Sequence, residues 1–190
     1  MCGGATVFNA LHSFGAKPTH RIGVIGIGGL GHLAIQFAAK MGCEVIVFSS
    51  TDSKKDEAVR LGATEFYATK GVSALSVSGP IDQLLVTTSM QPDWKLYLPI
   101  MAPGGSIFPL TISNSDLNIP YIPLIVGELR IQDSLVAARQ VLSDMLAFAA
   151  RHGIKPMIET FLMTTEGITE CMDRLEKGKM RYRGVVVVPE

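Results

Sequence analysis

The chain has 190 residues, enough for one large domain or a domain with an appendage. Hydrophobic residues make up 47% and charged residues 18%, which supplies a buried core, and a formal net charge of +0 with no basic run speaks against nucleic acid or an anionic membrane as partner. No apolar stretch is long enough to span a bilayer, no charged leader precedes an apolar core, and Cys2, Cys43 and Cys171 are scattered without a CxxC, so the expected setting is cytoplasmic, with reduced thiols and no zinc site built from these cysteines alone.

In chain order, Cys2 to Phe14 reads as a small-residue turn followed by a helix that Gly15 and Pro18 end. A strand is expected at Ile22–Ile25, then a helix from Gly31 to Met41 with Leu33, Ala34, Phe37 and Ala38 on one stripe and Gly42 as its stop. Glu44–Phe48 is the second strand. A helix from Lys54 ends at Gly62, and a third strand falls at Glu65–Ala68. The stretch from Gly71 to Gly79 fits no element. Gln83–Val86 is the fourth strand, Pro92 begins a helix carrying Trp94, and Gly104 and Gly105 turn the chain into a fifth strand, Ser106–Leu110. A loop from Ile112 to Gly127 leads to a sixth strand, Leu129–Gln132. Leu135, Ala138, Leu142, Met145 and Ala149 predict an amphipathic helix closed by Gly153. The tail adds a strand near Met157–Phe161, a helix with Ile168, Cys171, Met172 and Leu175 on one face, and a last strand, Gly184–Val188. Strands alternating with helices imply an α/β fold: a Rossmann-type doubly wound parallel sheet over residues 1–153, with a short α+β tail over 154–190.

The informative stretch is Arg21–His32, RIGVIGIGGLGH. Gly26, Gly28 and Gly31 stand in GxGxxG spacing between an apolar strand and the apolar start of a helix. Gly26 makes the tight turn, Gly28 lets a diphosphate approach the main chain, and Gly31 lets helix and strand pack closely. About 20 residues further on, where an NAD site places a carboxylate, the chain has Ser49, Ser50 and Thr51, followed by Lys54 and Lys55. Hydroxyls and a lysine donate to phosphate oxygens and neutralise their charge, so the expected cofactor is NADP(H). Asp52 runs against this unless it caps the helix and faces away.

The runs GIGGLGHLAIQFAAKMGCEVIVFSS, SKKDEAVRLGAT and LEKGKMRYRGVVVV resemble zinc-dependent medium-chain alcohol dehydrogenases, in particular the cinnamyl-alcohol-dehydrogenase-like branch that uses NADPH. The resemblance runs over essentially the whole chain but covers only the later half of a family member. It implies that Cys2 matches the last cysteine of a catalytic zinc site and that Thr6 lies against the nicotinamide half of the cofactor. Gly26, Gly28, Gly29, Leu30 and Gly31 would form the diphosphate turn. Ser49, Ser50, Thr51 and Lys54 would form the 2′-phosphate pocket, with Thr87 and Thr88 lining the cleft. Ser134 sits where the family holds the carboxamide, and Arg139 resembles an arginine near the phosphates.

The family's other zinc ligands and its four-cysteine lobe have no counterpart here. A catalytic zinc needs three protein ligands and an open position. This chain offers Cys2, and His12, His20, His32 and His152 fall in no ligand spacing; His32 reads as structural. Zinc is therefore not expected in this chain alone, nor is zinc-assisted hydride transfer by it. Asp133 stands where the family usually has glycine, and Glu128 occupies a position where glycine or an uncharged residue is expected. Three functions compete: an NADP(H)-binding oxidoreductase-family protein, either a remnant or one half of a split enzyme whose zinc-binding half is a separate chain; a repurposed isomerase or cyclase using Asp133, Glu128 or a histidine for proton transfer; and a non-catalytic NADPH-binding module. The apolar tail strands are expected to pair with each other or to be buried in a homodimer or against a complementing chain.

Overall fold

The computed structural model describes residues 1–188. Contacts divide the chain into a unit spanning Met1–Ile154 and a second unit from Lys155 onward.

The first unit is built on a six-stranded parallel sheet in the order β3-β2-β1-β4-β5-β6. Its strands are β1 (Arg21–Ile25), β2 (Glu44–Ser49), β3 (Glu65–Ala68), β4 (Ile81–Val86), β5 (Met101–Pro109) and β6 (Arg130–Ile131). The central strands β1 and β2 are almost wholly apolar, and β4 is apolar from Leu84 to Val86, as burial on both faces demands; Ile22, Val24, Val45, Ile46, Val47, Phe48, Leu84 and Leu85 are all fully buried. Its helices are α1 (Cys2–His12), α2 (Gly31–Lys40), α3 (Lys55–Leu61), α4 (Trp94–Tyr97), α5 (Tyr121–Val126) and α6 (Arg139–His152). Against one face, α1, α2 and α6 meet through Phe8, whose ring centroid lies 5.3 Å from that of Phe37 and 5.6 Å from that of Phe148. A second core cluster joins Phe48, Ile81, Leu84 and Ile107 to Trp94, Tyr97 and Leu98, so Trp94 is a core residue at 4% exposure.

Most expected elements stand where periodicity placed them, and the differences have local causes. The chain is already helical from Cys2. β5 begins five residues earlier than expected. Gly104, at φ +73°, does not turn the chain into the strand; it lies inside an irregularity at which Ile81 faces Met101 and Gln83 faces Ser106. The expected loop after Ile112 contains α5. Pro123 is tolerated there because it falls in the first turn, where its missing N–H is not needed. α6 starts at Arg139 rather than near Leu135. Ala138 is extended and Leu135 is 76% exposed, so their helical spacing is a coincidence of a loop. The sixth strand shrinks to two residues at the sheet edge. Between Gly71 and Gly79 the chain is irregular, with Leu75 and Val77 packed on the core.

The second unit is a βαβ arrangement of β7 (Ile158–Leu162), α7 (Thr165–Glu176) and β8 (Arg183–Val187). The two tail strands pair with each other, as anticipated, and do so in parallel. Thr164 caps α7 by accepting from the Gly167 N–H. Phe161 and Cys171 form its small interior.

Candidate dinucleotide-binding site

The strand order reverses at β1, which has β2 on one side and β4 on the other. In open parallel sheets, ligands bind beyond the carboxyl ends of the strands at such a switch point. The glycine turn leaves β1 there, and Thr87 leaves β4 beside it.

Each glycine has a distinct physical reason. Gly26 holds φ +91°, donates its N–H to Phe48 O at 2.8 Å, and a Cβ there would come within 2.7 Å of Thr88 Cγ2. At Gly31 a Cβ would run into the Gly26 carbonyl and sit 2.9 Å from Thr87 Oγ1. Around Gly28 a Cβ would meet nothing within 4 Å, so the turn is open on the side a ligand would approach. Gly29, Leu30 and Gly31 lead into α2, where the His32 N–H donates to Gly28 O at 3.2 Å and those of Leu33 and Ala34 donate to Leu30 O, which leaves the N–H groups of the turn itself to face a ligand.

A cleft of about 450 Å³ lies beside the turn. It brings together Gly26, Ser49, Ser50, Lys54 and Thr88 of the expected residues. Lys54 reaches across it, its Nζ donating to Ile27 O at 2.7 Å. The cleft also takes in Thr69 and Tyr97, which sequence reasoning missed. Thr69 follows β3 and Tyr97 ends α4, and only the fold brings them into one cleft with Ser49. Thr69 donates its N–H and its hydroxyl to Ser49 O, at 2.8 and 3.2 Å, which fixes the end of β2. Burial pushes the Tyr97 phenol above its ordinary range.

Other expected residues stand apart from this cleft. Thr51 is exposed, with its hydroxyl 3.0 Å from that of Ser53. Thr87 does not line the cleft; its hydroxyl lies 2.8 Å from Ile25 O and 3.1 Å from Gly26 O, so it braces the turn from behind. Thr6, 6% exposed on α1, donates to the carbonyl of Cys2 at 3.0 Å. Ser134 accepts a 2.8 Å hydrogen bond from Asn9 Nδ2, a residue the sequence did not single out; it ties the loop after β6 to α1. Arg139 is exposed at the first turn of α6. Glu128 and Asp133 are exposed, and neither lines the cleft. Glu128 has φ 52°, which gives a backbone reason for expecting glycine there.

The donor set fits a phosphorylated dinucleotide: open backbone at Gly28, an ammonium, and two serines at the end of β2. It does not fit a complete catalytic zinc site. Cys2 is exposed, and among the described residues no group of three or more His, Cys, Asp or Glu side chains is placed to hold a metal.

A family model described as "Zinc-binding dehydrogenase" matches residues 29–151. Aldehyde reductase AdhA of Synechocystis sp. is 38% identical over 98% of this chain and 55% of its own length. A solved cinnamyl alcohol dehydrogenase from Sorghum bicolor superposes with a TM-score of 0.86 at 31% identity, covering 97% of this chain and 53% of that one. The Helicobacter pylori cinnamyl alcohol dehydrogenase, solved in complex with NADP(H), gives 0.78 at 26% identity over 97% and 52%. The chain thus spans about half the length of these relatives. With its 3-2-1-4-5-6 parallel sheet and glycine turn, it belongs to the zinc-type medium-chain alcohol dehydrogenases, of which it carries the cofactor-binding half.

Proposed function

We propose that this chain binds NADP(H) as the cofactor half of an alcohol or aldehyde dehydrogenase, with the groups that polarise the substrate oxygen supplied from outside residues 1–190. The observation that carries this reading is Lys54, which shares one cleft with Ser49, Ser50 and Gly26 at the end of β2, where an NAD site would present a carboxylate to the ribose. When bound, the cofactor supplies the hydride. The chain's own part is to grip the diphosphate on the turn, neutralise a 2′-phosphate at Lys54 and hold the Ser134 loop to α1 through Asn9. Aldehyde reduction is what the Synechocystis relative's name states, and we extend it to this chain only as a class.

Calorimetry with NADPH and NADH tests the reading. The intact chain is expected to prefer NADPH. Lys54→Ala is expected to cost NADPH affinity about tenfold or more, the worth of a hydrogen bond to a charged group, and to cost NADH clearly less. Equal losses for the two cofactors would remove the 2′-phosphate assignment. No uptake of either would remove the reading itself.

A further inference from the structure

Two consecutive carbonyl oxygens of the glycine turn are each held by a side chain, one from beyond β2 and one from the first turn of α2. Lys54 Nζ donates to Ile27 O at 2.7 Å. His32 Nδ1 lies 2.8 Å from Gly28 O, and because a carbonyl only accepts, Nδ1 carries the proton. His32 also gives its backbone N–H to the same oxygen at 3.2 Å. Its imidazole is fully buried in the first turn of α2, a place where a polar ring persists only if it is hydrogen-bonded.

A planar trans peptide points its C=O and its N–H in opposite directions. Holding Ile27 O therefore aims the N–H of Gly28, and holding Gly28 O aims the N–H of Gly29. A Cβ at Gly28 would meet nothing within 4 Å, so the main chain at the middle of the turn has open space beside it. A carbonyl swung to that side would repel an anion, whereas an N–H attracts one.

We infer that His32 and Lys54 are positioning residues. They tie back the carbonyls of Ile27 and Gly28 so that the N–H groups of Gly28 and Gly29 face an anionic diphosphate. Lys54 thereby couples the 2′-phosphate pocket to the turn instead of serving the 2′-phosphate alone. The inference rests on the dinucleotide reading above.

Calorimetry with three probes separates the contributions: ADP, which has the diphosphate without the 2′-phosphate; 2′-AMP, which has the reverse; and NADPH, which has both. His32→Leu is expected to weaken ADP and NADPH by roughly three- to tenfold, one hydrogen bond's worth, and to leave 2′-AMP unchanged. His32→Asn, whose amide nitrogen takes the place of Nδ1, is expected to recover most of the loss. Lys54→Met is expected to weaken ADP as well as 2′-AMP, which a lysine serving only the 2′-phosphate would not do. Circular dichroism checks that each variant is folded, and if His32→Leu is not, Lys54→Met with ADP carries the test alone. ADP affinity unmoved by His32→Leu or by Lys54→Met, parallel losses of ADP and 2′-AMP in His32→Leu, or no recovery in His32→Asn would each overturn the inference. An unmutated chain that takes up none of the three probes would overturn the dinucleotide reading instead.

Discussion

Glu128 and Val136 have positive φ, 52° and 54°, among the described residues, and neither is a glycine. A side chain there costs roughly 1–2 kcal/mol in the left-handed region, more for a β-branched residue. Glu128→Gly is accordingly expected to raise the stability of the first unit by about 1 kcal/mol, read as a higher urea midpoint, with no change in cofactor affinity, since Glu128 lies outside the cleft. A loss of activity in that variant under any assay would reopen the acid–base role considered for it. Gly31→Ala acts in the opposite sense. Its methyl group would press on the Gly26 carbonyl, backbone against backbone, so we expect a loss of about 1–3 kcal/mol in stability together with loss of dinucleotide binding. The glycine turn was legible in the chain because its chemistry is local, with all three glycines inside Arg21–His32. The roles of Thr87 and Asn9 were not, because each acts on a residue far away in sequence: Thr87 on Ile25 and Gly26, Asn9 on Ser134.

At the scale of elements, a polar clamp joins the starts of four neighbouring strands. Arg21, at the start of β1, pairs with Glu44 of β2 and, at 2.6 Å, with Glu65 of β3, while its backbone N–H donates to Asp82 of β4 at 2.8 Å. Burial works to raise the Glu65 carboxyl, but hydrogen bonds from Ser78, Tyr67 and Arg21 outweigh it and bring it to about 2. A carboxyl lowered in the folded state stabilises the fold fully above its ordinary range near 4.5, and that contribution is lost as pH falls toward about 2. Acid unfolding followed by circular dichroism is therefore expected to shift when Glu65 becomes Gln: the variant should be less stable at neutral pH by on the order of 2 kcal/mol, with the difference closing below about pH 3. A constant difference across that range would show that packing, and not ionisation, is what Glu65 contributes. Nothing in the local sequence around Arg21 marks this clamp, because its members are brought together only by parallel pairing, in which Arg21 faces Glu44 and Ile46 faces Glu65.

At the scale of the molecule, the second unit poses the sharpest physical demand. A two-stranded parallel sheet is rarely stable with a face open, yet Ile158, Leu162, Met163 and Val187 are exposed here, as are Ile168, Met172 and Leu175 of α7. We propose that a second copy or a complementing chain covers these side chains. Sedimentation at micromolar concentration is expected to show self-association, or a heterocomplex once a catalytic-half polypeptide is added; a stable lone monomer in both conditions would contradict the proposal.

Taken by itself, the order of residues determined the α/β class, the strand–glycine–helix turn, the hydroxyl-and-lysine pocket signal and the family. Each of these is written in a short contiguous run, where period, spacing and local charge already decide the outcome. The tertiary structure alone decided which distant residues meet at the switch point: Tyr97 and Thr69 in one cleft with Ser49, Thr87 behind the turn, Lys54 on the Ile27 carbonyl. Side-chain direction at the end of a strand depends on sheet order and register, and those are settled by burying the whole apolar surface at once, a sum over distant pairs that no local window contains.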